Sequence, residues 1–331
     1  MNIKYAINGL VLAWQLCPCQ KDGLMPSLTF VTPASPGRSI VRTALLLASL
    51  REFGGSLAEN PVWVFYPQDL GAFSGKERSS LQELGAKLVP FQADNKLLKF
   101  PLGYKVRAAA VAEALASGET DFLVWLDPDT LILSPPRDFI LTEGKSLAYR
   151  PVHHQLLGTS WGDEQDEFWQ LVYQHTRAAP ERDFQMLTHT GEMIRPYFNA
   201  GSYAVRPERG ILGNWWENFQ NCYQTPVFKR YYDQEALFAV FMHQAVLTGT
   251  ILAVLEQSEL QALSPSINYP LHLHEEIPEE QRAKRIDELV TVRYENIFDH
   301  DGWQEALPFS KELAGWITSR LNEYHHGGDQ A

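Results

Sequence analysis

Short apolar segments without polar alternation are the feature that most limits what this sequence can fold into. Residues 61–66 read PVWVFY and residues 122–126 read FLVWL, and further apolar segments lie at 28–31 and 87–91. Segments with helical spacing of apolar residues lie between them. Strands that are buried on both faces and separated by helices are typical of a parallel sheet with helices on each side. The sequence therefore predicts an α/β fold, Rossmann-like, with a mostly parallel sheet flanked by helices.

The other elements are predicted from apolar periodicity and from turn residues. Asp233 is expected to be the N-cap of one helix. The predicted helices lie at residues 38–53, 76–84, 104–117, 161–175, 207–222, 233–243 and 278–289, further strands at 198–205 and 252–255, and an irregular segment at 180–195.

The domain organisation is expected to be simple, since the chain has no internal repeat and no long low-complexity linker. We expect a peripheral segment at 1–25, a main domain at 26–255, and a C-terminal lobe with a frayed tail at 256–331 packed on that domain. No apolar run approaches the length of about 18 residues that a membrane-spanning helix requires, so we expect no membrane span.

Composition excludes some classes of partner. The chain has 28 Lys and Arg against 40 Asp and Glu, a net charge of −12, and its basic residues do not cluster. Binding to nucleic acid depends on a clustered basic surface, so we expect no such partner. Its 3 cysteines are too few for a disulfide framework, which favours a reducing compartment and a cytoplasmic location.

Two aspartates two residues apart follow the apolar segment at 122–126. Asp127 and Asp129 flank Pro128, where open α/β sheets place their ligands, at the carboxyl end of a strand. Such a pair can hold Mg²⁺ or Mn²⁺, which prefer oxygen ligands and keep positions for phosphate. The alternative is a structural turn, which Asp and Pro favour by themselves. We favour the metal site.

The stretch FLVWLDPDTL at 122–131 resembles motifs of two enzyme families. It resembles the start of haloacid-dehalogenase-like phosphatases, which would make Asp127 the phosphoryl-accepting nucleophile and Asp129 the acid or base. It also resembles the DxD turn of GT-A glycosyltransferases, whose aspartates hold the metal on a nucleotide-sugar diphosphate. Several predicted strands precede Asp127, and a later acidic motif of the phosphatase kind is missing, so the phosphatase is the less favoured alternative.

Three more segments resemble glycogenin-like GT-A transferases. They are YFNAGSYAVRP at 197–207, YDQEAL at 232–237, and SLREFGG at 49–55 within a first βαβ unit. The resemblance implies a metal-dependent glycosyltransferase with Mn²⁺ or Mg²⁺ as cofactor. Its partners would be a nucleotide-diphospho-sugar donor and a glycan or other hydroxyl acceptor. A sugar-nucleotide or glycan-binding domain without catalysis is the remaining alternative.

The resemblance also implies roles for individual residues. Asp127 and Asp129 would bind the metal, with a C-terminal histidine as third ligand. His300, in the sequence HDGW, is the preferred third ligand, and His272 and His274 are its rivals. For all three the alternative is an ordinary hydrogen-bonded or exposed imidazole.

Further residues are expected to contact the sugars or the nucleotide. Asp233 would lie near the reacting anomeric carbon and Gln234 would hydrogen-bond the sugar. Asn199 has the donor and acceptor atoms to bind sugar hydroxyls, and Gly201 permits close approach of the backbone. Nucleotide or phosphate contacts are assigned to Thr32, Lys105 and Arg107; a turn role for Thr32, and exposed helix-surface positions for the two basic residues, are the alternatives.

Overall fold

The protein folds around a seven-stranded sheet with the order β10-β6-β9-β4-β1-β2-β3. The computed structural model describes residues 26–35 and 40–326, so the predicted peripheral segment 1–25 and the end of the tail lie outside the described residues. Neighbouring strands pair in parallel except where β9 pairs antiparallel with β4 and with β6. This confirms the predicted α/β fold with a mostly parallel sheet. The strands are β1 Leu28–Pro33, β2 Val62–Pro67, β3 Ala86–Phe91, β4 Phe122–Leu126, β5 Thr130–Ile132, β6 Leu147–Pro151, β7 Met186–Leu187, β8 Met193–Ile194, β9 Phe198–Val205, β10 Leu260–Ala262, β11 Tyr269–Pro270 and β12 Thr291–Arg293.

Helices cover both faces of this sheet. Strand β4 shows why: Leu123 and Trp125 belong to the core beneath α4, α6 and α8, whereas Phe122, Val124 and Leu126 belong to the core beneath α1 and α2. Since successive side chains of a strand point to opposite faces, an uninterrupted apolar strand needs a helical layer on each side. The helices are α1 Ile40–Phe53, α2 Gly75–Glu83, α3 Asn95–Lys99, α4 Gly103–Ala116, α5 Glu167–Thr176, α6 Ile211–Cys222, α7 Pro226–Gln234, α8 Ala236–Val254, α9 Trp303–Ala306 and α10 Lys311–His326.

Several element predictions in the second half are wrong. Residues 252–255 do not form a strand, because α8 continues to Val254. Residues 278–289 contain turns and the short 3₁₀ helix Ile286–Glu288 rather than an α-helix. Only the second part of 161–175 is helical, since α5 begins after its N-cap Asp166, whose side chain accepts a hydrogen bond from the amide of Trp169.

Helix α8 is the one described helix that is long and apolar enough to cross a membrane by length and composition. Most of it is buried, from Met242 to Leu252 without interruption. It packs against α5, α6, α7 and β9. A core helix of a globular domain has this composition and this burial.

The chain after α8 returns to the large sheet and to α1. Strand β10 joins the edge of the large sheet beside β6. Strand β12 pairs antiparallel with β5, and α10 packs on α1. A third apolar core lies between them and contains Leu45, Leu131, Val292 and Ile317. The register of the β5–β12 pair places Arg293 opposite Thr130, directly after the Asp-Pro-Asp turn.

Candidate functional site

The Asp127-Pro128-Asp129 turn connects the end of β4 to β5. The amide of Asp127 donates to the carbonyl of Gly201 at 2.8 Å, and the amide of Tyr294 donates to the carbonyl of Asp129 at 3.0 Å. Asp127 continues the alternation of Leu123 and Trp125, so its side chain leaves on the face that α4 covers. The turn is therefore held by β9 on one side and by β12 on the other.

Both carboxylates of the turn converge on one arginine. Arg293 approaches Asp127 Oδ2 with Nη1 at 2.8 Å and Asp129 Oδ2 with Nη2 at 3.1 Å. Lys105 Nζ lies 2.7 Å from the same Asp127 Oδ2, and Trp125 Nε1 donates to Asp127 Oδ1 at 3.0 Å. The two acids thus share a focus, and that focus is occupied by positively charged side chains.

Burial and neighbouring charges act in opposite directions on the groups of this cluster. Burial lowers the pKa of Lys105, with the carboxylate of Asp127 opposing it. Burial raises the pKa of Asp127, but Lys105 and Arg293 outweigh it and lower that pKa to about 2. Burial raises the pKa of Asp129, with the guanidinium of Arg293 opposing it. Burial lowers the pKa of Arg293, yet the two carboxylates raise it above the usual value. Asp127 is consequently ionised and paired with Lys105 and Arg293 at neutral pH.

The predicted metal-binding set does not fit a divalent cation in this arrangement. Among residues 26–35 and 40–326, no group of three or more His, Cys, Asp or Glu side chains is placed to hold a metal. Oδ2 of each aspartate faces Arg293, and Asp127 Oδ2 faces Lys105 as well. A cation coordinated by both acids would have to displace the arginine. The sequence predicted the convergence of the acids and missed the cation at its centre.

His300 is not brought to the aspartates, which corrects its prediction as third ligand. It is exposed, and it lines a neighbouring cavity together with His274 and Trp303. His274 Nδ1 is hydrogen-bonded to the hydroxyl of Tyr269 at 2.8 Å, as the structural alternative expected. His272 lines this neighbouring cavity too, and it also lines the cavity that contains Asp127.

That cavity has a volume of about 100 Å³ and opens beside the carboxyl end of β4. Its charged and polar lining comes from α4, the turn, β9, α8 and β12, from the segments that follow β6 and β12, and from the 3₁₀ helix Leu271–Glu276. Lining residues that carry polar groups are Lys105, Asp127, His153, Asn199, His243, Gln244, His272, Arg293 and Glu295.

Asn199 and Gly201 lie in this cavity, as their predicted roles require. Asn199 Oδ1 accepts a hydrogen bond from the amide of Gly201 at 2.7 Å. The amide of Ala200 donates to Gln244 Oε1 at 3.0 Å and that of Phe198 to Thr248 Oγ1 at 3.1 Å, so side chains of α8 satisfy this part of β9. These contacts are all within the protein, so the role of Asn199 and Gly201 in sugar binding stays a prediction.

Asp233 and Gln234 do not line the cavity. Both are exposed at the end of α7. Asp233 is not an N-cap, because α7 runs through it to Gln234 and the extended residue Glu235 separates α7 from α8. The cavity is lined instead by His243 and Gln244 of α8, ten residues further along the chain.

The three residues assigned to nucleotide contact lie in different places. Lys105 is buried against Asp127 and lines the cavity, so the exposed alternative is wrong for it. Arg107 lies over the ring of Trp216, 5.4 Å from its centroid, in a separate cavity on the other side of α4. Thr32 is buried in β1 and does not line the cavity.

Sequence reasoning missed Arg293, His153 and Gln244. Arg293 stands in the three-residue strand β12, which carries no periodic signal of its own. Burial lowers the pKa of His153 well below its usual value, so its imidazole is neutral. His153 Nε2 and His272 Nδ1 have no hydrogen-bond partner among the described residues.

Comparison with known proteins identifies the family. The family model of the Rhodobacterales glycosyltransferase domain matches residues 30–245. No curated protein matches the chain significantly in sequence. Among solved structures, galactosyltransferase LgtC in complex with donor and acceptor sugar analogs is similar, with 14% identity, coverage of 92% of this chain and 97% of that chain, and a TM-score of 0.47. Mouse xyloside xylosyltransferase 1 in its apo form is similar with 12% identity, coverage of 81% and 98%, and a TM-score of 0.45.

The family match extends over more than half of the chain, from β1 into α8. It includes the Asp127–Asp129 turn, Lys105, Asn199 and Gly201. It selects the transferase over the phosphatase that the Asp-x-Asp-x-Thr pattern also allows. The chain therefore belongs to the Rhodobacterales glycosyltransferase domain family, and it is a glycosyltransferase.

Proposed function

We propose that this glycosyltransferase moves a sugar from a nucleotide-diphospho-sugar donor to an acceptor hydroxyl, with the reactive end of the donor in the cavity beside β4. The observation that carries the proposal is the placement of Lys105 and Arg293 around Asp127 in that cavity. Ligands of open α/β sheets bind at the carboxyl ends of the strands. Fixed positive side chains at that edge suit the negative charge of a diphosphate.

The polar lining suits the sugar part of such a donor. Asn199 supplies an amide, and the neutral imidazoles of His153 and His272 supply ring nitrogens that have no partner among the described residues. Each of these can exchange hydrogen bonds with sugar hydroxyls. The cavity of about 100 Å³ is smaller than the roughly 300 Å³ or more of a pocket for a drug-sized ligand, so it takes only the reactive end of the donor.

The reaction leaves negative charge on the departing diphosphate and releases one proton from the acceptor hydroxyl. The bond between the anomeric carbon and the diphosphate oxygen breaks, and its electron pair stays on the diphosphate. A bond forms between that carbon and the acceptor oxygen, whose proton passes to solvent. The protein's part is to orient the sugar, exclude water and hold positive charge beside the leaving diphosphate.

The metal dependence predicted from the sequence belongs to this proposal only as an alternative to be tested. Mn²⁺ or Mg²⁺ would supply Lewis-acid stabilisation of the leaving diphosphate. The carboxylates that would hold the metal are paired with Arg293 and Lys105, so no step of the proposed reaction is assigned to it.

The test is transfer from a panel of UDP- and GDP-sugars to alkyl glycosides, followed by mass spectrometry of the glycoside and by release of the nucleoside diphosphate. Replacing Asn199 by Ala is expected to lower kcat/KM about tenfold, the loss of one substrate hydrogen bond of about 1.4 kcal/mol. The exposed Asn296 gives the matched control, Asn296→Ala, which is expected to keep the wild-type rate.

Two outcomes would contradict the proposal. Binding of a nucleotide sugar without transfer to any acceptor would indicate a sugar-nucleotide-binding domain. Trapping of a phosphoryl group on Asp127 would indicate the phosphatase.

A further inference from the structure

The acidic turn and Arg293 form an assembled unit rather than an incidental contact. The backbone of Arg293 is paired with Thr130 in the β5–β12 ladder, and the amide of the next residue, Tyr294, donates to the carbonyl of Asp129. Two backbone connections thus fix the arginine beside the turn. Its side chain is 21% exposed and lines the cavity.

The sequence makes room for the guanidinium at Gly201. A Cβ atom on Gly201 would lie 2.5 Å from Nη1 of Arg293 and 2.9 Å from Oδ2 of Asp127. Real Cβ atoms do not approach other atoms so closely, so this position accepts only glycine while the arginine is in place. The site is therefore shaped around the arginine.

Positively charged side chains already lie against both aspartates. Lys105 Nζ and Arg293 Nη1 lie 2.7 and 2.8 Å from Asp127 Oδ2, and Arg293 Nη2 lies 3.1 Å from Asp129 Oδ2. A divalent ion placed between the acids would meet both cations at close range, and the freed guanidinium would lose its buried partners. The donor set thus disfavours the ion that the Asp-x-Asp pattern predicts.

Arg293 also has capacity left for a ligand. A guanidinium has five N–H groups. Nη1 donates to Asp127 Oδ2 at 2.8 Å, whereas Nη2 and Nε form ion pairs with Asp129 Oδ2 at 3.1 Å and with Glu295 Oε1 at 3.6 Å. Nη1 and Nη2 carry two hydrogens each, so each can donate to an anion as well as to its aspartate, and planar N–H pairs suit phosphate oxygens.

We propose that Arg293, supported by Lys105, is the cation that faces the donor's diphosphate, and that sugar transfer by this chain does not depend on a divalent metal. The inference rests on the proposed function, because it assigns the group that stabilises the leaving diphosphate. The aspartates then act as positioning residues that hold Arg293 and Lys105 in the cavity. As the bond to the anomeric carbon breaks, the guanidinium meets the charge that accumulates on the diphosphate oxygen.

The test compares nucleotide binding with and without metal in the full chain. UDP and GDP are titrated calorimetrically into the protein in excess EDTA and in excess MnCl₂. The wild-type protein is expected to bind one of them with dissociation constants within about threefold in the two conditions, since less than 1 kcal/mol then separates them. Binding that requires Mn²⁺ would overturn the proposal.

Variants of Arg293 distinguish an arginine that binds the diphosphate from one that only occupies a metal site. Arg293→Met is expected to weaken binding in EDTA at least about tenfold, without recovery in MnCl₂. Arg293→Lys keeps the charge without the planar fork and is expected to fall between Met and wild type. The control Arg285→Met removes an exposed arginine from the same part of the chain and is expected to bind as wild type.

Three results would decide against this role of Arg293. Tighter Mn²⁺ binding and Mn²⁺-restored nucleotide affinity in Arg293→Met would show that the arginine merely blocks a metal site. If Arg293→Met does not fold, Arg293→Lys decides, and wild-type affinity in that variant would contradict the need for the fork. Binding of Mn²⁺ by the wild-type protein without nucleotide, followed by electron paramagnetic resonance, would also overturn it. If neither nucleotide binds and no transfer occurs in either condition, the proposed function itself fails.

Discussion

The carbonyl of Gly201 accepts a hydrogen bond from the amide of Asp127 at 2.8 Å, so β9 and β4 remain paired up to the first residue of the acidic turn. This contact places the glycine's missing side chain directly beside the ion pairs of the site. Its neighbours there are Arg293 Nη1, Asp127 Oδ2 and Asn199 Oδ1.

Gly201→Ala is expected to lower the free energy of unfolding by about 1–3 kcal/mol, because the added methyl group displaces Arg293 or Asp127. Urea denaturation measures it, and nucleotide affinity is expected to fall with it. Gly162→Ala is the control, since a Cβ there meets no atom within 4 Å and the backbone is not left-handed. Unchanged stability and affinity in Gly201→Ala would show that the arginine does not need its observed position.

Asp127→Asn is expected to lower the free energy of unfolding by about 3 kcal/mol, because it removes the counter-charge of the buried Lys105. Chemical denaturation at constant pH measures the change. The double variant Lys105→Met with Asp127→Asn is expected to recover part of the loss. Asp138→Asn, at an exposed position, should match the wild type. Equal losses in the single and double variants would argue against an uncompensated lysine.

Glu113, which lies outside the site, makes the free energy of unfolding depend on pH. Its carboxylate accepts from the amides of Leu212 at 3.0 Å and Gly213 at 2.7 Å, yet burial raises its pKa from 4.5 to about 7. Between these values the folded chain holds a proton that the unfolded chain has released. This contribution to stability is therefore present at low pH and is lost as pH rises through about 7.

Glu113→Gln removes the titrating carboxyl group and with it this pH dependence. Its free energy of unfolding relative to wild type is expected to rise by about 2 kcal/mol between pH 5 and pH 8, measured by urea denaturation at each pH. Exposed Glu217 supplies the control Glu217→Gln, for which the difference from wild type should stay constant. A flat difference for Glu113→Gln as well would place the pKa of Glu113 at its usual value.

Helix α8 packs closely on α5 at Gly249. A Cβ at this position would overlap Thr176 Oγ1 and lie 3.0 Å from Thr176 Cβ. Gly249→Ala is therefore expected to lower the melting temperature, with a loss of about 1–3 kcal/mol. The same substitution at Gly315 in α10 meets no atom within 4 Å and is expected to stabilise the protein by up to about 1 kcal/mol. Similar shifts in both variants would contradict the close packing of α5 and α8.

Part of the first half of the fold was predictable because β2 and β4 are uninterrupted apolar segments. Residues 122–126 form β4 with the predicted bounds, and residues 198–205 form β9. Sequence patterns do not distinguish a short strand from the end of an apolar helix, which is why residues 252–255 were assigned wrongly. Strands of two or three residues, such as β5 and β12, form only because a partner is nearby and leave no local pattern.

The candidate site was predictable in part for the same reason. Asp127, Asn199 and Gly201 follow or belong to strongly apolar strands, and the structure brings them to one cavity. His300 and Asp233 stand in segments whose position depends on tertiary packing, and the structure leaves both exposed. The position of Arg293 depends on the pairing of β12 with β5, which no local pattern of the sequence predicts.

The placement of Arg293 on β12 also means that the proposed diphosphate site is completed late in synthesis of the chain. Asp127 and Arg293 are separated by 166 positions, which a ribosome adds in roughly 8–33 s at about 5–20 residues per second. Until then the nascent chain holds Lys105 but lacks the second positive group, so Asp129 stays without its counter-charge. A chain that stops before residue 293 would contain all of the matched family region, 30–245, and would still lack Arg293. If Arg293 has the proposed role, donor binding requires a chain that extends through β12.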